Sequence, residues 1–218
     1  MSLKGFAFGK MFLIFLIGSI LGAYYEELLN IATQIINHQK VVYEYRRGII
    51  YGPFSPIYGM GTVIMTLVLC KKERTLRKTF LLAAIVGGII EYLISFLQET
   101  FIGTISWDYS DKLLNINGRT TIPYMAFWGL LGVIFVKYIY PPLSSFIENI
   151  PDTIGQCLVT LLFVLFIIDF TLSMCALFRQ HYRNQNIPPK TVIGRLCDKY
   201  YTDDFLYKYY PNMIRTNK

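Results

Sequence analysis

Arg46-Arg47-Gly48-Ile49-Ile50-Tyr51-Gly52-Pro53-Phe54-Ser55-Pro56-Ile57-Tyr58-Gly59-Met60-Gly61 is the stretch on which the fold turns. Pro53 and Pro56 each remove a backbone donor, the four glycines lower helix propensity, and the residue before each proline is pushed toward extended geometry. An ordinary membrane helix is therefore excluded here. Yet the segment lies between apolar runs, and non-helical backbone at membrane depth survives only where protein or a water-filled cavity satisfies it. The stretch reads as a re-entrant or non-helical segment that marks an internal site or a tight structural corner.

The flanking sequence supplies the membrane. Hydrophobic residues make up 54% of the 218 and charged residues only 16%. Several apolar runs approach the roughly 20 residues that a helix needs to cross a bilayer. The expected class is all-α, a polytopic membrane helix bundle with about five transmembrane helices. Residues 1–178 form the transmembrane domain and residues 179–218 a basic, Tyr-rich tail. The first helix is expected from Phe6 to Tyr25, continuing as an amphipathic helix through Ile36. It has no polar cleavage region after the apolar run, which favours a retained helix over a signal peptide. The fourth is expected to start at Pro123 and stop at Pro141-Pro142, followed by a short interfacial helix over residues 144–150. The last long apolar run, residues 154–178, carries Asp169 with Ser173 one turn on.

Two helices carry polar stripes. Gly18, Gly22, Glu26 and Asn30 recur every four residues on the first helix; Gly87, Glu91, Ser95, Gln98 and Glu99 share one face of the third. A carboxylate midway along an apolar helix is costly in lipid and faces the bundle interior, a partner or water, which makes Glu91 a functional candidate. Its structural alternative is an interhelical hydrogen bond or a buried pair with Arg47 or Arg119. Glu27, rotated by about 100 degrees from Glu26, could as easily face solvent.

Charge distribution limits the partners. The net charge is +7, and the tail alone contributes +5 from eight Lys/Arg against Asp198, Asp203 and Asp204. Membrane lipids with anionic headgroups explain such a tail; nothing resembles a groove-reading nucleic-acid motif, so no nucleic-acid partner is expected. Residues 71–78, KKERTLRK, hold five basic residues and one acid, the clearest cytoplasmic signal. Five crossings put that loop and the tail on opposite sides, although both should prefer the cytoplasm. With residues 71–78 and the N-terminus inside, the Arg46 corner and the loop from Trp107 to Arg119 share the outer side. The four cysteines are widely spaced and read as small core residues; His38 and His181 have no second histidine at helical spacing, so neither a metal nor another cofactor is expected.

The order of short motifs resembles a known family. Gly22-Ala23-Tyr24-Tyr25-Glu26, Arg47-Gly48, Tyr51-Gly52-Pro53, Pro56-Ile57-Tyr58-Gly59, Glu91-Tyr92, Glu99, Trp107-Asp108-Tyr109-Ser110, Asn117-Gly118-Arg119 and Trp128-Gly129 together are similar to the ABC-transporter type IV (CmpB-like) integral membrane family. The similarity runs from about Gly22 to Pro142, with one departure at Ser106, where an aromatic is expected. It implies a permease subunit in the cell membrane. The sequence contains no GxxxxGK[ST] phosphate loop, so ATP-driven action implies a separate ATPase subunit, with the chain itself in a homo- or hetero-oligomer.

Three readings remain open from the sequence. In the first, Glu26, Glu91 and Glu99 with Arg47 line the polar cavity of a transport component. In the second, a membrane-embedded enzyme acts on a lipid or lipid-linked substrate, with Arg47 and Arg119 holding a phosphate or carboxylate and one of Glu26, Glu91, Glu99 or Asp108 as general base. In the third, buried Arg and Glu pairs fix helix packing in an accessory or scaffold protein. Tyr51, Tyr58, Trp107 and Asn117 complete the candidate substrate-binding set. The transport and enzyme readings share one requirement: the acids and arginines must converge.

Overall fold

The computed structural model describes residues 2–215. Helix α1, Phe8–Ile36, is followed by an irregular strap over residues 37–55 and by α2, Pro56–Leu69. Then come α3, Leu76–Ile102; α4, Ile122–Ile134; α5, Tyr140–Glu148; and α6, Asp152–Asn184. Two short helices, α7 at Val192–Tyr200 and α8 at Asp203–Tyr209, end the chain. Among the described residues strand is confined to four two-residue pieces: β1, Thr104–Ile105, pairs antiparallel with β4, Ile214–Arg215, and β2, Asn115–Ile116, with β3, Thr120–Thr121.

Among the described residues four helical spans are long and apolar enough to cross a membrane: Phe8–Ile36, Leu76–Ile102, Ile122–Glu148 and Asp152–Asn184. The 14-residue α2 is apolar but shorter. The fold is thus an all-α membrane bundle of four long helices and a fifth, abbreviated one.

The quoted stretch divides at Pro56. Residues 46–55 are irregular, with Gly52 at positive φ, whereas Pro56 occupies the first turn of α2, where its missing N–H costs nothing. The glycines that followed it therefore sit in a helix. They are compatible with one because they face another: Ser19 and Phe15 on α1 occupy the space that a Cβ on Gly59 would take. On α1, Gly22 leaves room for the Tyr58 ring and Gly18 for the Thr62 side chain, so α2 runs antiparallel along the small-residue face of α1. Because Tyr58 lies opposite Gly22, halfway along α1, the strap descends into the bundle before α2 begins.

That descent requires partners for the strap's amides. Ile50 N–H donates to Ser173 Oγ at 2.9 Å and Tyr51 N–H to Asp169 Oδ1 at 3.0 Å. Gly48 N–H reaches Phe54 O at 2.9 Å and Ser55 N–H reaches Ser19 O on α1 at 3.1 Å. The acid and hydroxyl that the sequence places one turn apart on the last helix thus satisfy consecutive backbone donors, as irregular backbone inside a bundle requires. Deeper still, Phe54 meets Phe166 edge-on, joining the strap to the aromatic core made by Phe12, Phe15, Phe163 and Phe166 of α1 and α6.

One sequence expectation is corrected here. Pro141-Pro142 does not stop the fourth helix: residues Phe135–Ile139 form a π-helical turn, and both prolines lie in the first turn of α5, so one helical span continues to Glu148. The wider turn breaks the regular ladder one step before the residues that cannot donate. One face of the tail packs on the strap and α6: Leu206 and Tyr210 are buried with Ile50, Ala176 and Leu177, and Tyr45 stacks on Tyr209. Arg179 and Arg183 on α6 hold it, both donating to Asp198 at 2.8 Å, with Arg183 also reaching Asp203 at 2.8 Å. Those ion pairs keep the Asp198 carboxyl below its usual value, Arg179 contributing most.

Candidate functional site

Glu26 extends the Gly18-Gly22 stripe by one turn. Since Gly22 admits the Tyr58 ring, the phenol of Tyr58 reaches the next polar position and donates to Glu26 Oε1 at 2.8 Å. Across the bundle, Gly87 admits Trp128 of α4 against α3, and Glu91, one turn on from it, is 7% exposed. Thr120 Oγ1 donates to Glu91 Oε2 at 2.7 Å and Tyr109 Oη to Glu91 Oε1 at 3.1 Å.

These donors come from the loop between α3 and α4, whose residues position one another. Asn117 and Gly118, both at positive φ, make the two central positions of a tight hairpin turn closed by Arg119 N–H to Ile116 O at 3.0 Å. Asp108 Oδ1 accepts from Ser110 N–H and Oγ–H, which holds its carboxyl below the ordinary range, and Tyr109 N–H donates to Gly118 O at 2.8 Å. Trp107 Nε1–H donates to Arg119 O at 2.9 Å, while the Arg119 guanidinium bonds Ser95 and forms an ion pair with Glu99. Asn117 Nδ2–H donates to Tyr92 Oη. The result places Thr120 and Tyr109 over Glu91. Burial, with Glu91 beside it, pushes the Tyr109 phenol well above its ordinary value, so it stays a donor.

Between α1, α2, α3 and α4 lies a cavity of about 300 Å³. Glu26, Tyr58 and Glu91 line it together, with Tyr25, Asn30, Arg46, Tyr109, Tyr124, Phe127 and Trp128 among their neighbours. Three of the ten candidates therefore converge.

The other seven lie elsewhere, so of the acids and arginines expected to converge only Glu26 and Glu91 do. Arg47 does not meet Glu26 or Glu91: it stacks on Tyr45 at 4.4 Å and its Nε stands 3.5 Å from Glu27 Oε1. Glu27, which the sequence left open to solvent, is 3% exposed and also accepts from Tyr43 Oη at 2.6 Å. The cavity-lining arginine is its neighbour Arg46, which bonds Asn30 Oδ1 at 2.8 Å and Glu44 Oε2 at 3.0 Å. Tyr51 gives its amide to Asp169 and meets Tyr201 Oη with its own phenol at 3.2 Å. Trp107, Asp108, Asn117 and Arg119 build the loop, Glu99 on α3 pairs with Arg119, and all five stand outside the cavity wall. The pair of Glu91 with Arg47 or Arg119 does not form; among the described residues neither Glu26 nor Glu91 has an ion-pair partner.

Sequence reasoning missed Tyr109, Tyr124 and Trp128 as wall residues. Trp128 had a signal in Gly87, since a glycine amid large residues marks where a neighbouring helix or ring comes close. Among the described residues no group of three or more His, Cys, Asp or Glu could hold a metal ion.

Comparison with curated proteins finds no match, and comparison with solved structures finds none. One family model matches residues 13–174, extending the resemblance seen between Gly22 and Pro142 to include Asp169 and Ser173 on α6. The match covers most of the chain, from the first long helix into the last, and with its four apolar spans the protein is a membrane protein belonging to the family described as "Putative ABC-transporter type IV".

Proposed function

We propose that this chain is a permease-like transport component of the cell membrane, crossing the bilayer several times and working with a separate nucleotide-binding ATPase subunit. One observation carries the reading: Glu26 and Glu91, on two different apolar helices, line one cavity beside Tyr58 and have hydroxyl partners but no ion-pair partner among the described residues. Carboxylates held this way in a bundle mark substrate or ion pathways. A strap that replaces the first half of a membrane helix, followed by a half-length α2 whose Tyr58 enters the cavity, is the type of broken element that lines transporter sites.

In this reading Glu26, Tyr58 and Glu91 contact the substrate. Arg47, Tyr51, Glu99, Trp107, Asp108, Asn117 and Arg119 shape the walls from behind. Residues 71–78 and the N-terminus face the cytoplasm, and the strap, the α3–α4 loop and the tail lie on the outer side. Arg179 and Arg183, the tail cations nearest a membrane helix, are engaged with Asp198 and Asp203, consistent with that side. Membrane lipids surround the bundle, and the full transporter contains a further copy or further subunits.

The test is extraction of the tagged full-length chain from its native membranes in mild detergent. A nucleotide-binding polypeptide should co-purify, and the complex reconstituted in liposomes should hydrolyse ATP faster when solute extracts are added. A chain that purifies alone, with no ATP hydrolysis and no solute flux, would remove the transport reading.

A further inference from the structure

A second cavity, of about 290 Å³, adjoins the first. Tyr25, Tyr58, Trp128 and Leu131 line both, so the two lie on either side of one mostly aromatic wall. The second is apolar, walled by Ile17, Leu21, Gly61, Met65, Phe135 and Leu143 among others. The polar atoms near it are already engaged: Thr62 Oγ1 donates to Tyr58 O at 2.7 Å, and Tyr58 Oη to Glu26. Leu21 and Ile139, which line it, are 58% and 42% exposed, so it opens on an apolar outer face of the helices.

Its occupant follows from size and from its surroundings. A helix, about 10 Å across, would enter it only by its side chains, whereas a single hydrocarbon chain is narrower. A hydrocarbon chain fits and comes from the surrounding bilayer. The sign of the head follows from charge. Glu26, Glu91 and Arg46 line the polar cavity and Arg46 also pairs with Glu44, so acids outnumber the one arginine there. Its walls are aromatic: Tyr109 stacks on Tyr124 with centroids 4.6 Å apart, and Tyr25 on Phe127 at 6.4 Å. Ring faces and carboxylates together select a cation, above all an ammonium. An anionic head would meet two like charges.

We propose that the two cavities form one site for an amphiphile, with a cationic amine head between Glu26 and Glu91 and its hydrocarbon chain in the groove between α1, α2 and α4. The inference deepens the transport reading, on which it rests, by naming the class of substrate.

Trp128 lines both halves and reports on both. The sequence has two tryptophans, and Trp107 lies outside the cavities, so Trp107→Phe leaves a single emitter. The full-length variant in nanodiscs is titrated with 12-bromododecyltrimethylammonium, whose bromine quenches a tryptophan on contact. The expected result is saturable quenching, displaced by dodecylamine. Tetramethylammonium, which lacks the chain, and dodecanoate, which lacks the cation, should each need at least about ten times the concentration. Glu26→Gln and Glu91→Gln should each weaken the probe by about tenfold. The Trp128 ring stands 3.8 Å from a Cβ placed on Gly61, so Gly61→Leu reaches into the groove and should abolish the advantage of the long chain alone.

Equal competition by tetramethylammonium overturns the chain half of the proposal, and equal competition by dodecanoate overturns the charge. Quenching that rises linearly without saturating, or that is blocked by a co-purifying membrane polypeptide, overturns the site. If Trp107→Phe does not fold, thermal stabilisation of the wild-type chain by the same four compounds gives the same ranking. Saturable binding without an ATPase partner leaves the site standing while the transport reading fails, and an active transporter that ignores the probe does the reverse.

Discussion

Asp169 on α6 and Glu91 on α3 stand in similar positions, midway along apolar helices, and are 8% and 7% exposed. Each accepts hydrogen bonds. Asp169 takes the Tyr51 amide and the Ser173 hydroxyl, and Ser173 in turn accepts the Ile50 amide. Glu91 takes the hydroxyls of Tyr109 and Thr120 on a cavity wall. A backbone amide can only donate and cannot turn away; a hydroxyl rotates and both donates and accepts. The first carboxylate is therefore committed to the strap, and the second can exchange a partner for a ligand. The kind of donor, more than depth or burial, separates a structural acid from one available for binding.

The largest effect expected from this contrast is at Asp169. Asp169→Ala leaves the Tyr51 N–H without an acceptor inside the bundle and should cost about 1–3 kcal/mol of stability, read from denaturation in detergent. Asp169→Asn keeps the single oxygen that serves both donors and should cost less than half as much. Equal losses in the two variants would mean that charge, and not the acceptor, holds the strap.

Next come the glycines on either side of Tyr58. A Cβ on Gly22 would overlap the Tyr58 ring, displacing both α2 and the donor to Glu26, so Gly22→Ala should cost about 1–3 kcal/mol. At Gly61 the nearest atoms lie 3.8 Å away, and Gly61→Ala should be neutral or stabilise α2 by up to about 1 kcal/mol. Thermal melting of the pair of variants checks both signs at once.

The same contrast explains what was legible in the sequence. The stripes through Gly22-Glu26 and Gly87-Glu91 could be read because helical period alone puts those residues on one face, and that face is where α2 and α4 pack. The irregularity of residues 46–55 could be read from Pro and Gly. The partners could not. Arg46 and Arg47 are adjacent and chemically alike, and which one enters the cavity depends on the strap's turn, which carries Arg47 to Glu27. Asp169 lies 118 positions from the amide it satisfies, a closure that no local pattern encodes. Asp108, Asn117 and Arg119 have the residue types of a binding site, but they spend their polar groups on the hairpin that presents Tyr109 and Thr120. The π-helical turn before Pro141 likewise has no signature in hydropathy.

A smaller effect is expected at the tail, where carboxylates again face fixed donors. Asp198 has its pKa depressed in the folded chain, so its contribution is present above its unfolded value of about 4 and is lost as pH falls through the lower folded value. Acidification below about pH 4 should therefore release α7 and α8 from the strap before the bundle unfolds, seen as protease cleavage within residues 185–202. Asp198→Asn should shift that cleavage to neutral pH. A tail that stays protected in both cases would assign its docking to the Leu206-Tyr210 cluster alone.

The smallest effect on stability belongs to Glu91. Replacing it with Gln keeps one acceptor oxygen and adds an amide donor, and the Tyr109 and Thr120 hydroxyls can each act in either direction, so no buried donor loses its last partner. The cost should stay within about 1 kcal/mol. The same substitution removes the charge, which no ion pair among the described residues requires. A purely structural acid should show the opposite pattern, as expected for Asp169→Ala: stability falls, and whatever folds works. Measuring unfolding and ligand binding on both variants places each carboxylate by the ratio of the two losses. If Glu91→Gln unfolds as readily as Asp169→Ala while the folded fraction binds normally, the cavity acid is part of the scaffold and the distinction between the two regions disappears.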